Sequence, residues 1–173
     1  MTDPTYSVRP SQQDDLARLA DVERSAAVVY FAALGEPTDV PDVMAPDTLR
    51  ACHDTGLLWI SVDGSDRPVG FLAAEKIDGS LFIKEMSVHQ NHQRRGLGHC
   101  LMQTALAHAR DSGCASVSLT TDRLIPFNAP FYERIGFSAL PIDEAPAALR
   151  LVHDQEIKSG FDPRRRILMI RRL

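Results

Sequence analysis

No CxxC pair occurs in this chain, and its cysteines number three: Cys52, Cys100 and Cys114. An odd, scattered set builds no disulfide framework, so a reducing, cytoplasmic setting is expected. Cys100 and Cys114 fit core positions better than the position of a nucleophile. The polar opening MTDPTYSVRPSQQDD has no apolar segment of a signal peptide. No apolar run approaches the ~20 residues of a membrane span, so no membrane partner is expected. A basic excess is missing as well: 19 Lys and Arg face 23 Asp and Glu, for a net charge of −4. That balance argues against a nucleic-acid partner and for a small phosphorylated ligand at a locally basic loop. No histidine and carboxylate set has metal-ligand spacing, so no metal is expected. With no repeat and no low-complexity stretch, the 173 residues, 44% of them hydrophobic, read as one globular domain over 1–173.

What the chain does contain is organised around residues 82–102, FIKEMSVHQNHQRRGLGHCLM. Residues 81–89 are apolar and β-branched enough for a buried strand. Leu97, Leu101, Met102, Ala105, Leu106 and Ala109 recur at spacings of three and four, which predicts a helix with one apolar stripe. Between them lies Gln93-Arg94-Arg95-Gly96-Leu97-Gly98. Two glycines at a helix start leave the first-turn amides accessible, and the helix dipole favours an anion there, typically a phosphate. A Walker loop is excluded because His99 follows the second glycine. A Rossmann fingerprint is excluded because Leu101 stands where a third small residue is needed. Taken alone, the hexapeptide also fits a surface turn with a basic cap.

The rest of the chain reads as follows. Residues 5–9 predict a strand ended by Pro10, with Ser11 as the cap of a helix and Asp14 three residues on. That helix carries Leu16, Leu19, Ala20, Glu23, Ala26, Ala27 and Tyr30 along one side, and Gly35 stops it. Residues 38–46 are irregular and 47–54 predict a short helix. Strands at 57–62 and 69–75 precede the central one; tight turns join all three, so they should be antiparallel. A strand at 115–121 follows the helical crossover and should run parallel to the central strand. Then come a helix at 128–135, a strand at 137–140, a helix at 146–159 and a strand at 167–170. Arg164-Arg165-Arg166 and Arg171-Arg172 are read as solvated strand ends.

The pattern Gln/Arg-x-x-Gly-x-Gly after a strand ending in Val88-His89 resembles the acetyl-CoA pyrophosphate loop of the GNAT N-acetyltransferases. A second motif agrees: Asn128-Ala129-Pro130-Phe131-Tyr132-Glu133-Arg134-Ile135-Gly136-Phe137 resembles that family's late segment, with Asn128 closer to the tyrosine than in many relatives. The resemblance spans nearly the whole chain. It implies a mixed α/β (α+β) GNAT fold, with a mostly antiparallel sheet, a splayed parallel pair around the acetyl-CoA loop, and helices on both faces.

The resemblance also implies roles. Gln93, Arg94, Arg95, Gly96, Leu97, Gly98 and His99 would hold the pyrophosphate of acetyl-CoA as cosubstrate. Met86, Ser87 and Val88 would pair with the pantetheine arm, with the Val88 amide on the thioester oxygen, and Asn128 would contact the same arm. Tyr132 matches the tyrosine that protonates the departing thiolate; a packed tyrosine is the plainer alternative. Glu85 stands where relatives often place a carboxylate, and is either the base, acting through water, or a solvated glutamate. His89 and His92 flank the loop and suit surface or phosphate contact better than a base. Tyr30, Phe31, Glu36 and Asp122, with Thr121, are candidates for the acceptor pocket; Tyr30 and Phe31 equally fit the core.

The activity implied is acetyl transfer from acetyl-CoA to a primary amine. The alternative is a non-catalytic acyl-CoA-binding sensor or interaction module. A metabolite amine, an amino acid, a polyamine and a protein or peptide N-terminus are all compatible acceptors, and the acidic charge leans towards a cationic one. A homodimer paired through the C-terminal strand is compatible with the pattern.

Overall fold

The computed structural model describes residues 5–38 and 41–173. The elements are β1 (Ser7–Pro10), α1 (Leu16–Leu34), α2 (Pro46–Asp54), β2 (Leu58–Val62), β3 (Pro68–Ile77), β4 (Ser80–Val88), α3 (Leu97–Asp111), β5 (Ser116–Asp122), α4 (Ala129–Arg134), β6 (Ser138–Leu140), α5 (Ala147–Lys158) and β7 (Arg166–Arg172). This is the order that periodicity and turn residues predict. In the irregular stretch 38–46, Asp39 and Val40 lie outside the described residues. Pro46 opens α2, where its missing N–H costs nothing.

The first helix starts later than expected. Ser11 does not cap it; the Ser11 hydroxyl instead hydrogen-bonds His53 Nδ1 at 2.7 Å. A 3-10 turn, Gln13–Asp15, comes first, and the Asp15 carboxylate accepts the Gln12 N–H at 2.7 Å. Arg9 holds that carboxylate with two bonds, of 2.7 and 3.0 Å. The buried ion pair thus moves the capping arrangement one residue along.

Seven strands form one sheet in the order β1-β2-β3-β4-β5-β7-β6. The β1–β2, β2–β3, β5–β7 and β6–β7 pairs are antiparallel. The β4–β5 pair is parallel, as a helical crossover demands, with Leu81↔Val117, Phe82↔Ser118 and Ile83↔Leu119 in register. Strand β4 itself continues to Val88.

The chain divides into two compact units. One comprises Met1–Glu75 and Lys84–His108. In its described part, Leu19, Val22, Leu49 and Cys52 of the first two helices close over Leu58, Ile60, Val62, Phe71 and Ala73. Strand alternation turns Trp59 the other way, and its ring meets His108 of α3 at 5.2 Å. Helices therefore cover both faces here. The α3 stripe read from the sequence is buried: Leu101, Met102, Ala105 and Leu106 have no exposed surface.

The other unit comprises Lys76–Ile83 and Ala109–Leu173. Its core joins Phe82, Leu168, Ala145 and Leu149, with Ile77, Leu140, Ile142 and Val152 packed around them. Two expectations are corrected in it. The C-terminal strand pairs inside the chain, with β5 from Ser116↔Arg172 to Asp122↔Arg166 and with β6 from Ser138↔Ile170 to Leu140↔Leu168. The arginines are not simply solvated strand ends. Arg165 grips buried Asp122, Arg166 grips Glu156 at 2.8 and 2.9 Å, and Arg171 donates to the Ile135 carbonyl. Only the exposed Arg164, paired with Asp162, keeps the expected character among the first three.

Candidate active site

The glycine loop is shaped as an amide cradle. Arg94 has φ 60° and Gly96 has φ 81°, both left-handed, a backbone form that suits an anion-binding nest. Arg94, Arg95, Gly96 and His99 are exposed, whereas Leu97 is buried and anchors the helix start. The Cys100 N–H to Gly96 carbonyl bond, 3.0 Å, opens the helical ladder. The N–H groups of Leu97, Gly98 and His99 then precede any intrahelical acceptor. Two adjacent arginines, a dipole end and no Cβ at Gly96 or Gly98 fit a diphosphate.

Several bonds hold this loop to the strand before it. Gln93 Nε2 donates to the Val88 carbonyl at 3.0 Å, which engages Gln93 as a brace. The Tyr6 hydroxyl hydrogen-bonds His92 Nδ1 at 2.9 Å, and the Arg95 guanidinium lies 5.9 Å over the Tyr6 ring. His89 Nδ1 accepts the Asn91 N–H at 3.3 Å. Burial, then the neighbouring His89 and Arg95, pull His92 below the ordinary histidine range. His92 is thus a neutral support for the turn at neutral pH. The Gln90 N–H donates to Ser25 Oγ of α1 at 3.1 Å.

On β4, Glu85 and Met86 are half-buried and Ser87 is buried. The Ser87 hydroxyl donates to Glu85 Oε1 at 2.8 Å, which orients the carboxylate. Gly70 of β3 backs this stretch: a Cβ there would stand 3.1 Å from the Ser87 carbonyl and 3.2 Å from a Val88 methyl. Only glycine lets β3 approach so closely. Gly70→Val should cost about 1–3 kcal/mol by overpacking, measured by urea unfolding.

On α1, Tyr30 and Phe31 are half-buried and meet edge to face at 5.4 Å. Glu36 is exposed beyond the Gly35 cap. Glu23, expected only as part of the α1 stripe, is buried near these residues of the helix. It is 8% exposed and takes the Met44 N–H on both oxygens, at 3.0 and 2.9 Å. Burial first, then the charge of Glu85, push its carboxyl up to about 7 from an ordinary 4.5. One signal was available, a lone carboxylate within an otherwise apolar helical stripe. A raised carboxyl binds its proton more tightly when folded, so its stabilising contribution is lost as pH rises from ~4.5 to ~7. The loss is about 3 kcal/mol across that window. Glu23→Gln, which keeps an acceptor for Met44, should flatten the fall in melting temperature between pH 5 and pH 8.

In the other unit, Asn128 precedes α4. Its carbonyl accepts the Phe131 and Tyr132 N–H groups at 2.9 and 3.1 Å. Its side chain makes no capping bond. The half-buried Tyr132 ring packs on Phe131 and Phe137 at 5.1 and 5.8 Å. Asp122, at 2% exposure, is clamped by Arg165 at 2.7 and 3.2 Å and by the Leu124 and Ile125 amides. Burial alone would raise its carboxyl; Arg165 and the two amides outweigh that and hold it low. Thr121 is buried beside it.

Among the described residues, no group of three or more His, Cys, Asp or Glu is placed to hold a metal ion. Nor is any helix long and apolar enough to cross a membrane.

Solved structures with this fold are numerous. An N-acetylglutamate synthase from Neisseria gonorrhoeae, complexed with coenzyme A and N-acetyl-glutamate, superposes with a TM-score of 0.71 at 18% identity. The match covers 99% of this chain but only 36% of that one. A GNAT-family acetyltransferase from Staphylococcus aureus Mu50 gives 0.71 at 14% identity, over 97% of this chain and 99% of that one. The ribosomal-protein-S18-alanine N-acetyltransferase of Escherichia coli gives 0.66 at 15% identity, over 96% and 93%. At such identities the likeness is one of fold. The family model described as acetyltransferase (GNAT) family matches residues 21–137, from α1 through the Tyr132 motif, and the chain belongs to that family.

Proposed function

We propose that this protein is an N-acetyltransferase that uses acetyl-CoA to acetylate a primary amine. The observation that carries the reading is the loop between β4 and α3: left-handed Arg94 and Gly96, exposed Arg95 and the bare start of α3 suit a diphosphate. Acetyl-CoA, bound there, supplies an activated acetyl group on a thioester.

The chain's own residues do the rest. Backbone amides from Arg94 through His99 receive the diphosphate, and Gln93 braces the cradle against Val88. The backbone of Met86, Ser87 and Val88 pairs with the pantetheine arm. The Val88 N–H is aimed at the thioester oxygen, a contribution of roughly 3 kcal/mol for a fixed donor at a developing oxyanion. Glu85, oriented by Ser87, takes a proton from the acceptor ammonium through water. Tyr132 gives a proton to the departing thiolate; a phenol near ~10 and a thiol near ~8.5 make that transfer nearly balanced. Asn128 supports the Tyr132 turn and the pantetheine arm. Tyr30, Phe31 and Glu36 border the acceptor. Asp122 leaves that set, because its oxygens are committed to Arg165 and two amides. Neighbours of this fold include enzymes named for amino-acid and protein-alanine acetylation, which supports an amine acceptor.

Tyr132→Phe tests the chemistry. Thiol release should fall about 10²-fold while calorimetric affinity for acetyl-CoA stays unchanged. Acetyl-CoA binding without thiol release from any of a broad set of amines would instead identify a sensor module.

A further inference from the structure

One aromatic side chain reaches the glycine loop from far away in sequence. The half-buried Tyr6 stands immediately before β1. Ser7 opens that strand opposite Val62, the last residue of β2, and β2 pairs antiparallel with β3. The His89 N–H, just past β4, donates to the Val69 carbonyl of β3 at 2.9 Å. The start of β1 and the end of β4 therefore share one end of the sheet. There the Tyr6 hydroxyl hydrogen-bonds His92 Nδ1 at 2.9 Å, and the two rings meet edge to face with centroids 5.8 Å apart. The guanidinium of exposed Arg95 lies 5.9 Å over the centroid of the same Tyr6 ring. His92 is itself fixed: its N–H donates to the His89 carbonyl at 2.8 Å, and its ring meets that of His89 at 5.7 Å.

We propose that Tyr6 is a positioning residue for the cosubstrate: held by His92, its ring seats the Arg95 guanidinium beside the glycine loop for a phosphate of acetyl-CoA. The inference deepens the acetyltransferase reading and rests on it. Its physical logic is preorganisation. An arginine that samples many rotamers loses that freedom when it grips a phosphate, whereas one already seated loses less. An aromatic face attracts a guanidinium through the negative centre of the ring, and it does so without supplying a competing anion. A carboxylate in the same place would hold Arg95 more tightly but would repel the phosphate. The phenol bond to His92 keeps the ring in one attitude, so the seat is present before the ligand arrives. Tyr6 touches no reacting atom in this scheme, so its effect falls on cosubstrate affinity.

The test is a double-variant cycle read by calorimetric titration with acetyl-CoA. Tyr6→Leu keeps apolar bulk but removes the aromatic face and the phenol. It should weaken binding about fivefold, and Arg95→Ala about tenfold. In the Arg95→Ala background Tyr6→Leu should change affinity by less than about twofold, because Tyr6 acts through Arg95. Tyr6→Phe keeps the ring under Arg95 and should stay within about twofold of wild type. Tyr6→Leu that binds as tightly as wild type overturns the proposal. So does a Tyr6→Leu loss that is equally large without Arg95, since Tyr6 would then only support the turn. A second measurement needs no folded variant of Tyr6. In proton NMR of the ligand-free wild type, the Arg95 side-chain signals, assigned by their absence in Arg95→Ala, should be shifted upfield by the Tyr6 ring. Unshifted signals overturn the seat. Wild-type protein that ignores acetyl-CoA overturns the acetyltransferase reading and this inference with it, whereas a wild type that binds and an uncoupled cycle overturn this inference alone.

Discussion

Replacing Gly96 with glutamate should weaken acetyl-CoA binding about a hundredfold in a calorimetric titration that detects tight binding by the wild type. Two effects add. Gly96 sits at φ 81°, where a side chain with a Cβ costs roughly 1–2 kcal/mol. The new carboxylate would also stand at the mouth of the cradle, against a diphosphate and at the positive end of the α3 dipole, for about 1 kcal/mol or more. Together these reach about 3 kcal/mol, or roughly a hundredfold in affinity. Gly96→Ala separates the causes, because it carries the backbone strain without the charge and should lose roughly tenfold. Wild-type protein that ignores acetyl-CoA would remove the basis of the proposed function and leave only family and fold. A Gly96→Glu protein that still binds tightly would move the phosphate site elsewhere.

The second large effect is on stability. Arg165→Ala should destabilise the protein by about 3 kcal/mol, read as a shift in the urea midpoint, because it strands Asp122. That carboxylate is 2% exposed and has Arg165 as a charged partner, with the Leu124 and Ile125 amides as further donors. Asp122→Asn in the Arg165→Ala background should recover part of the loss, since no buried charge is then left unpaired. The pH dependence has the opposite sign to that of Glu23. Asp122 is held below the ordinary carboxylate range, so its contribution is present above that range and is lost as pH falls through its folded value. If Asp122 bound the acceptor instead, Arg165→Ala would raise KM and leave the urea midpoint in place.

Most of the fold was legible because its signals are local. Many strands and helices end at glycine, proline or an Asp-Gly turn, and the α3 stripe reads directly from spacings of three and four. Chain connectivity alone made β2, β3 and β4 antiparallel and β4–β5 parallel. The loop and the Tyr132 motif were equally readable, since contiguous residues form them. Glu23 was not. Its position in an apolar stripe hinted at burial, yet only the placement of Met44 beside it reveals a tether, and burial raises its carboxyl.

The same division holds at the far end of the chain. A run such as Arg164-Arg165-Arg166 looks solvated because each arginine, taken alone, prefers water. Insertion of β7 between β5 and β6 brings Arg166 to Glu156 and Arg165 to Asp122, partners 10 and 43 residues away in sequence. That insertion also carries the C-terminal strand into its own sheet. Local backbone preference and hydrophobic period therefore determined the elements, their order and the glycine loop. Tertiary structure decided which buried charges meet, because pairing across tens of residues depends on strand order and burial, and neither is written in any short stretch of sequence.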